Sequence, residues 1–152
     1  MITAQVENLE KGLPEIKEIL PLHWEELALN KESVPLDPIY GLYIERDRRG
    51  EVTYITLRED GILIGYFVFF VAPGLHYKTC LTAIMDLFYV HPNYRGKNGG
   101  WILLECAKRE LQRRGVQRWF VGHKEHSKQA GILFEKFGFT KVETTYSLWL
   151  GD

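Results

Sequence analysis

A chain of 152 residues, 45% hydrophobic and 26% charged, is long enough to bury a core and reads as one globular domain over residues 1–152. Its 19 basic and 20 acidic side chains leave a net charge of −1, which excludes the basic footprint of a nucleic-acid binder. The longest apolar run, Ile62–Ala72, is 11 residues and too short to span a bilayer, so no membrane partner is expected, and two cysteines without CxxC spacing fit the reducing cytoplasm.

Thr3–Asn8 reads as a first strand. Residues 13–29 set Leu13, Ile16, Ile19, Leu20 and Leu27 at helical spacing, and Pro21 is expected to kink or split that helix. Residues 31–50 carry Pro35, Pro38 and Gly41 and read as a loop with a short helix. Glu51–Leu57 alternates as a strand does, and Glu59–Gly61 is a hairpin signal. Ile62–Val71 is apolar on both faces, which predicts a central strand. After a loop at Ala72–Thr79, Cys80–Val90 is another long strand. A glycine-rich stretch then opens a helix with Leu103, Leu104, Ala107 and Leu111 on one face, and Gly115 suits its C-terminal end. Val116–Gly122 is a strand, Ser127–Gly138 a helix with Ser127 as its N-cap, and Phe139–Leu150 a strand closing the sheet. The expected architecture is α/β, a mixed and mostly antiparallel central sheet flanked by helices, in the order β-α-(α)-β-β-β-α-β-α-β.

The stretch Tyr89–Trp101, YVHPNYRGKNGGW, places three glycines within five residues, beside Arg95 and Lys97. Glycine gives up the most backbone freedom on folding, so this density implies a close approach to the backbone. At a helix start it exposes N–H groups that the helix cannot satisfy, and the dipole there favours an anion. Neither GxxxxGK[ST] nor GxGxxG is present. From the residues alone, a phosphate site and a surface turn with solvated charges both stand.

The stretch VHPNYRGKNGG resembles the acyl-CoA loop of the GNAT acetyltransferase superfamily, Arg/Gln-x-x-Gly-x-Gly/Ala after a strand ending in Val-x-Pro. Arg95, Gly96, Lys97, Asn98, Gly99 and Gly100 occupy it in order, with Asn98 where the family has its first glycine. Asparagine tolerates left-handed backbone better than other residues with a side chain. SKQAGILFEKFGF resembles the family's Asn-x-x-Ala-x-x-Leu-Tyr-Glu-Lys-x-Gly-Phe segment. The chain is also similar to small stand-alone members of the superfamily carried by tailed bacteriophages. The resemblance implies a GNAT-like fold and acetyl-CoA (coenzyme A) as co-substrate. Its pyrophosphate would lie on the amides of Arg95 to Gly100, with counter-charge from Arg95 and Lys97. Its pantetheine would pair with the backbone around Phe88 and Val90, and Ser127 and Phe134 would close the far side. No metal is implied.

Asp86 sits in mid-strand among apolar residues, where an unpaired carboxylate is costly. Desolvation there raises a pKa towards that of a useful general base. By resemblance, polyamine acetyltransferases of the superfamily place a glutamate nine residues before the loop arginine, and Asp86 stands nine residues before Arg95. The alternative is a structural aspartate. The family often protonates the leaving thiolate with a tyrosine, but that position is Phe134, so either Tyr146, Tyr89 or water is the substitute or CoA leaves as the thiolate. His123 and His126 form HxxH without an evident third ligand.

The expected activity is acyl-CoA-dependent transfer of an acetyl group to a primary amine by direct attack. A CoA-binding or regulatory module without turnover and a nucleotide-binding protein are the alternatives. The acceptor is a small-molecule or peptide amine, and a homodimer stays open. Residues 1–40 carry a net −5 and residues 41–152 a net +4. That split suggests a cationic acceptor drawn by Glu25, Glu26, Glu32 and Asp37 and held by Trp24 or Tyr40.

Overall fold

The computed structural model describes residues 1–151. Five strands, β1 (Ile2–Glu7), β2 (Val52–Glu59), β3 (Ile62–Gly74), β4 (Tyr77–Val90) and β5 (Arg118–Phe120), lie side by side in chain order. All neighbours are antiparallel except β4 and β5, which are parallel. Helices α1 (Leu9–Leu27) and α2 (Tyr40–Arg48) cover one face, and α3 (Gly99–Arg113) and α4 (Lys128–Phe137) the other. β3 is central, as its two apolar faces predict: Tyr66 and Val68 pack under α1, Phe67 and Phe69 under α3.

The turns follow from residue chemistry. Asp60 and Gly61 both take positive φ, 51° and 82°, as a two-residue hairpin with right-handed strands requires. At the end of α3, Gly115 at φ 80° lets its own N–H and that of Val116 reach the carbonyls of Gln112 and Leu111, which closes the helix.

Three expectations are corrected. α1 runs as one helix of 19 residues through both Pro14 and Pro21, so the split expected at Pro21 does not occur. Both prolines are on its exposed face, where water can serve the carbonyl each leaves without an N–H. The expected loop at Ala72–Thr79 is mostly strand, because β3 and β4 extend until only Leu75 and His76 join them. The expected closing strand at Phe139–Leu150 does not form. A strand needs an edge to pair with, and β5 offers only three residues. Leu148 and Leu150 are consequently exposed, at 81% and 89%.

A buried aromatic cluster ties α1 to the sheet. His23 Nδ1 shares a 2.8 Å hydrogen bond with the Tyr66 hydroxyl, and its ring stacks on Tyr89 at 4.7 Å. Burial holds the imidazole neutral, lowering its pKa from 6.5 to about 4. The unfolded chain therefore takes up this proton first as the pH falls. The stability held by the neutral ring is complete above pH 6.5 and is lost between 6.5 and about 4. His23→Gln keeps a partner for Tyr66 without that titration. It should flatten the decline of urea-unfolding stability between pH 6.5 and 5 (roughly the His titration range), and an unchanged slope would refute this origin.

Candidate active site

β4 carries a β-bulge at its centre. Phe69 pairs with Met85 and Val68 with Leu87, so Asp86 stands opposite no residue. Met85 packs in the α3 layer and Leu87 in the α1 layer, and between them the Asp86 carboxylate reaches α2. There the Tyr43 hydroxyl donates to Oδ2 at 2.5 Å. Burial raises the Asp86 pKa, and the Tyr43 bond and the charge of Arg46 offset part of that rise. Burial, together with the same carboxylate, pushes the Tyr43 phenol well above its usual range, so it remains a donor.

Beyond the bulge, β4 and β5 part. They pair only at Thr82–Ile84 with Arg118–Phe120, and the edge of β4 from Met85 to Val90 has no β5 partner. The glycine loop follows directly. A single 3-10 turn, Pro92–Tyr94, leads to Gly96 at φ 81° and to Asn98 at φ 64°, the N-cap of α3. The asparagine takes the left-handed geometry expected of it. Among the described residues, the N–H groups of Gly96, Lys97, Asn98, Gly99, Gly100 and Trp101 have no acceptor in the chain. Six donors thus gather at the positive end of a 15-residue helix.

The glycines of this loop serve different ends. A Cβ on Gly99 would lie 2.7 Å from Leu57 Cδ2, and one on Gly100 would lie 2.6 Å from Leu133 Cδ2. These two let α3 approach the sheet and α4. Gly96 has open space around it and is required by its backbone angle.

The basic residues also differ. Arg95 is committed within the protein: its two terminal nitrogens each lie 2.6 Å from a Glu26 oxygen, and Nε donates to the Val90 carbonyl at 2.9 Å. The guanidinium in turn lowers the Glu26 pKa. Lys97 has no carboxylate partner among the described residues and rests over the Tyr94 ring at 5.2 Å.

Phe88 faces the α3 layer, 4.5 Å from the Phe67 ring and 5.4 Å from that of Phe134, which is buried. Val90 lies beside Gly99. Ser127 occupies the N-cap position of α4, but its side chain makes no capping bond. Tyr146 is 89% exposed on the segment after α4, and the structure forms no hydrogen bond between it and Asp86. Tyr89 is buried between His23 and Arg95, and its hydroxyl has no partner among the described residues. His123 and His126 each bond a backbone carbonyl, of Lys124 and Glu26, and no group of three or more metal-binding side chains occurs among the described residues. No described helix is long and apolar enough to cross a membrane.

Asp86, the splayed strand edge and the loop are therefore contiguous. Tyr43 and the Glu26–Arg95 pair are the members that sequence reasoning missed. Neither carries a local signal, since their partners lie 43 and 69 positions away.

A layered fold with a bulged fourth strand opening onto a glycine loop is shared with a recognisable family. The chain belongs to the acetyltransferase (GNAT) family, whose model matches residues 16–139. It is 32% identical over 109 residues to an amino-acid acetyltransferase of Haemophilus ducreyi. That match takes in 69% of this chain but only 23% of the relative's length. Among solved structures it is similar to an aminoglycoside acetyltransferase from an uncultured soil metagenomic sample (TM-score 0.76, 12% identity, 99% of this chain and 95% of the other). It is also similar to a predicted acetyltransferase solved with acetyl-CoA from Clostridium acetobutylicum (TM-score 0.71, 14% identity, 99% and 97%). At these identities the likeness is one of fold.

Proposed function

We propose that this chain transfers an acetyl group from acetyl-CoA to the primary amine of a small molecule or peptide, with Asp86 as the general base. The observation that carries this reading is the bulge. It sets a carboxylate of raised pKa beside an unpaired strand edge that runs straight into six free amides.

These donors fit the cofactor. The loop amides and Lys97 would hold the pyrophosphate, the free edge of β4 around Phe88 and Val90 would receive the pantetheine amides, and Ser127 and Phe134 would flank it. Acetyl-CoA supplies a thioester carbonyl, and an N–C bond forms as its C–S bond breaks. Asp86 accepts the proton that the nitrogen gives up. Tyr43 holds the carboxylate in place through its 2.5 Å bond. Arg95 acts through Glu26, fixing the loop to α1 rather than offering a free charge. Phe134 has no proton to give, so the sulfur leaves as the thiolate or takes its proton from Tyr146, Tyr89 or water.

The test is thermal unfolding with acetyl-CoA, CoA or ATP, followed by thiol release with a panel of amines. Stabilisation by the CoA species alone is expected, about 2.7 kcal/mol at a hundredfold excess over Kd, together with amine-dependent turnover. A folded protein that CoA leaves unchanged would refute the reading. CoA binding without turnover on any amine would make the chain a binding module instead.

A further inference from the structure

A pocket whose lining includes Tyr43 and Leu87, though not Asp86 itself, bears on the acceptor. It measures about 360 Å³ and lies between α1, the segment joining α1 to α2, α2 itself and the sheet. Such a volume suits a small molecule. Leu13, Leu20 and Trp24 line it from α1, Leu36 from the connection, Tyr43 from α2 and Leu87 from β4. Two of these lead to the base: Tyr43 bonds Asp86, and Leu87 follows it in the chain. Of the described residues lining the pocket, only Asp37 is charged.

The acidic N-terminal segment does not make this a polycation site. Glu26 is paired with Arg95 and Glu25 lies 3.6 Å from Lys31. The aromatic platforms are occupied as well, with Lys31 over Trp24 at 5.7 Å and Lys17 over Tyr40 at 4.4 Å. A second ammonium brought among the remaining leucines would lose its hydration and find a single carboxylate, Asp37, on the connecting segment.

We infer that the acceptor is a primary amine on one uncharged, apolar body, an arylalkylamine or alkylamine, whose body fills this pocket and whose nitrogen meets Asp86. The inference rests on the acetyl-transfer reading above. The neutral nitrogen bonds the acetyl carbon, CoA leaves as its thiolate, and the displaced proton passes to the Asp86 carboxylate.

The experiment has two arms. Thiol release gives kcat/KM for 2-phenylethylamine, hexylamine, spermidine and a lysine peptide. Calorimetry measures binding of CoA, and then of 2-phenylethylamine with CoA present. The two apolar amines should exceed spermidine and the peptide by about tenfold or more, the least that a fitted apolar pocket gives. Leu36→Arg should raise KM for 2-phenylethylamine by a similar factor with CoA affinity unchanged, and Leu36→Met should restore it. If Leu36→Arg does not fold, Leu36→Trp, which fills the pocket instead of charging it, takes its place. A preference for spermidine or the lysine peptide, or a KM indifferent to residue 36, overturns the inference and leaves the acetyl-transfer reading standing. Failure to bind CoA overturns that reading, and binding of 2-phenylethylamine abolished by the residue 36 variant would still establish the pocket's chemistry.

Discussion

Asp86→Asn is expected to lower turnover by roughly a hundredfold or more, the usual loss when a positioned general base is removed, while the fold and acetyl-CoA affinity persist. Asparagine keeps the shape and an oxygen for Tyr43 to donate to, but it cannot take a proton. The wild-type rate should fall at acid pH with an apparent pKa above the ~3.9 of a free aspartate, because burial raises that of Asp86. The stability effect has the opposite sense. A carboxyl whose folded pKa lies above its unfolded value destabilises the fold at neutral pH and ceases to do so below the unfolded value. The variant should therefore be no less stable than wild type at pH 7 by thermal unfolding. Wild-type turnover in the variant would make Asp86 a structural residue of the bulge and place the base elsewhere.

Gly99→Val should destabilise the protein by about 1–3 kcal/mol, as overpacking of a filled core does, and lose cofactor affinity only as the fold is lost. Leu57, the first atom a new Cβ would meet, is fully buried, and Val90 closes the other side. The glycine density marks the loop that opens α3, but this position is small for the sake of the sheet. Asn98→Gly is the matched control. It keeps the left-handed backbone and should leave melting temperature and acetyl-CoA affinity near wild type. If Gly99→Val melts normally yet binds acetyl-CoA weakly, Gly99 belongs to the ligand path instead.

Much of the architecture was legible because it is written in periodicity and turn chemistry. Asp60–Gly61, the apolar run of β3 and the face formed by Leu103, Leu104, Ala107 and Leu111 each depend on neighbours within a few positions. The loop was legible for the same reason. What escaped the sequence depends on partners distant in the chain. Whether residues 139–150 find a strand to pair with turns on how far β5 extends, and an apolar alternation cannot report that. The ion pair of Arg95 with Glu26 spans 69 positions, so a loop arginine that looked free for phosphate is engaged by α1. The acidic residues of the first 40 positions read as a surface for a cation, and the fold gives most of them arginines and lysines of the same chain.

The bulge at Asp86 also acts as a change of parity. Before it, the odd-numbered Leu81, Ala83 and Met85 look towards α3; after it, the even-numbered Phe88 and Val90 do, while Leu87 and Tyr89 turn to α1. One supernumerary residue thus lets a single strand serve two frames, an outer half aligned with β5 and an inner half aligned with the loop. A deletion of one residue between Ile84 and Leu87 would shift the two frames into one. If that residue is Asp86, the bulge and the carboxylate go together, while Leu87 follows Met85 in regular alternation and Phe88 and Val90 still seat α3, so the supernumerary residue serves the site and not the layers on either side of it.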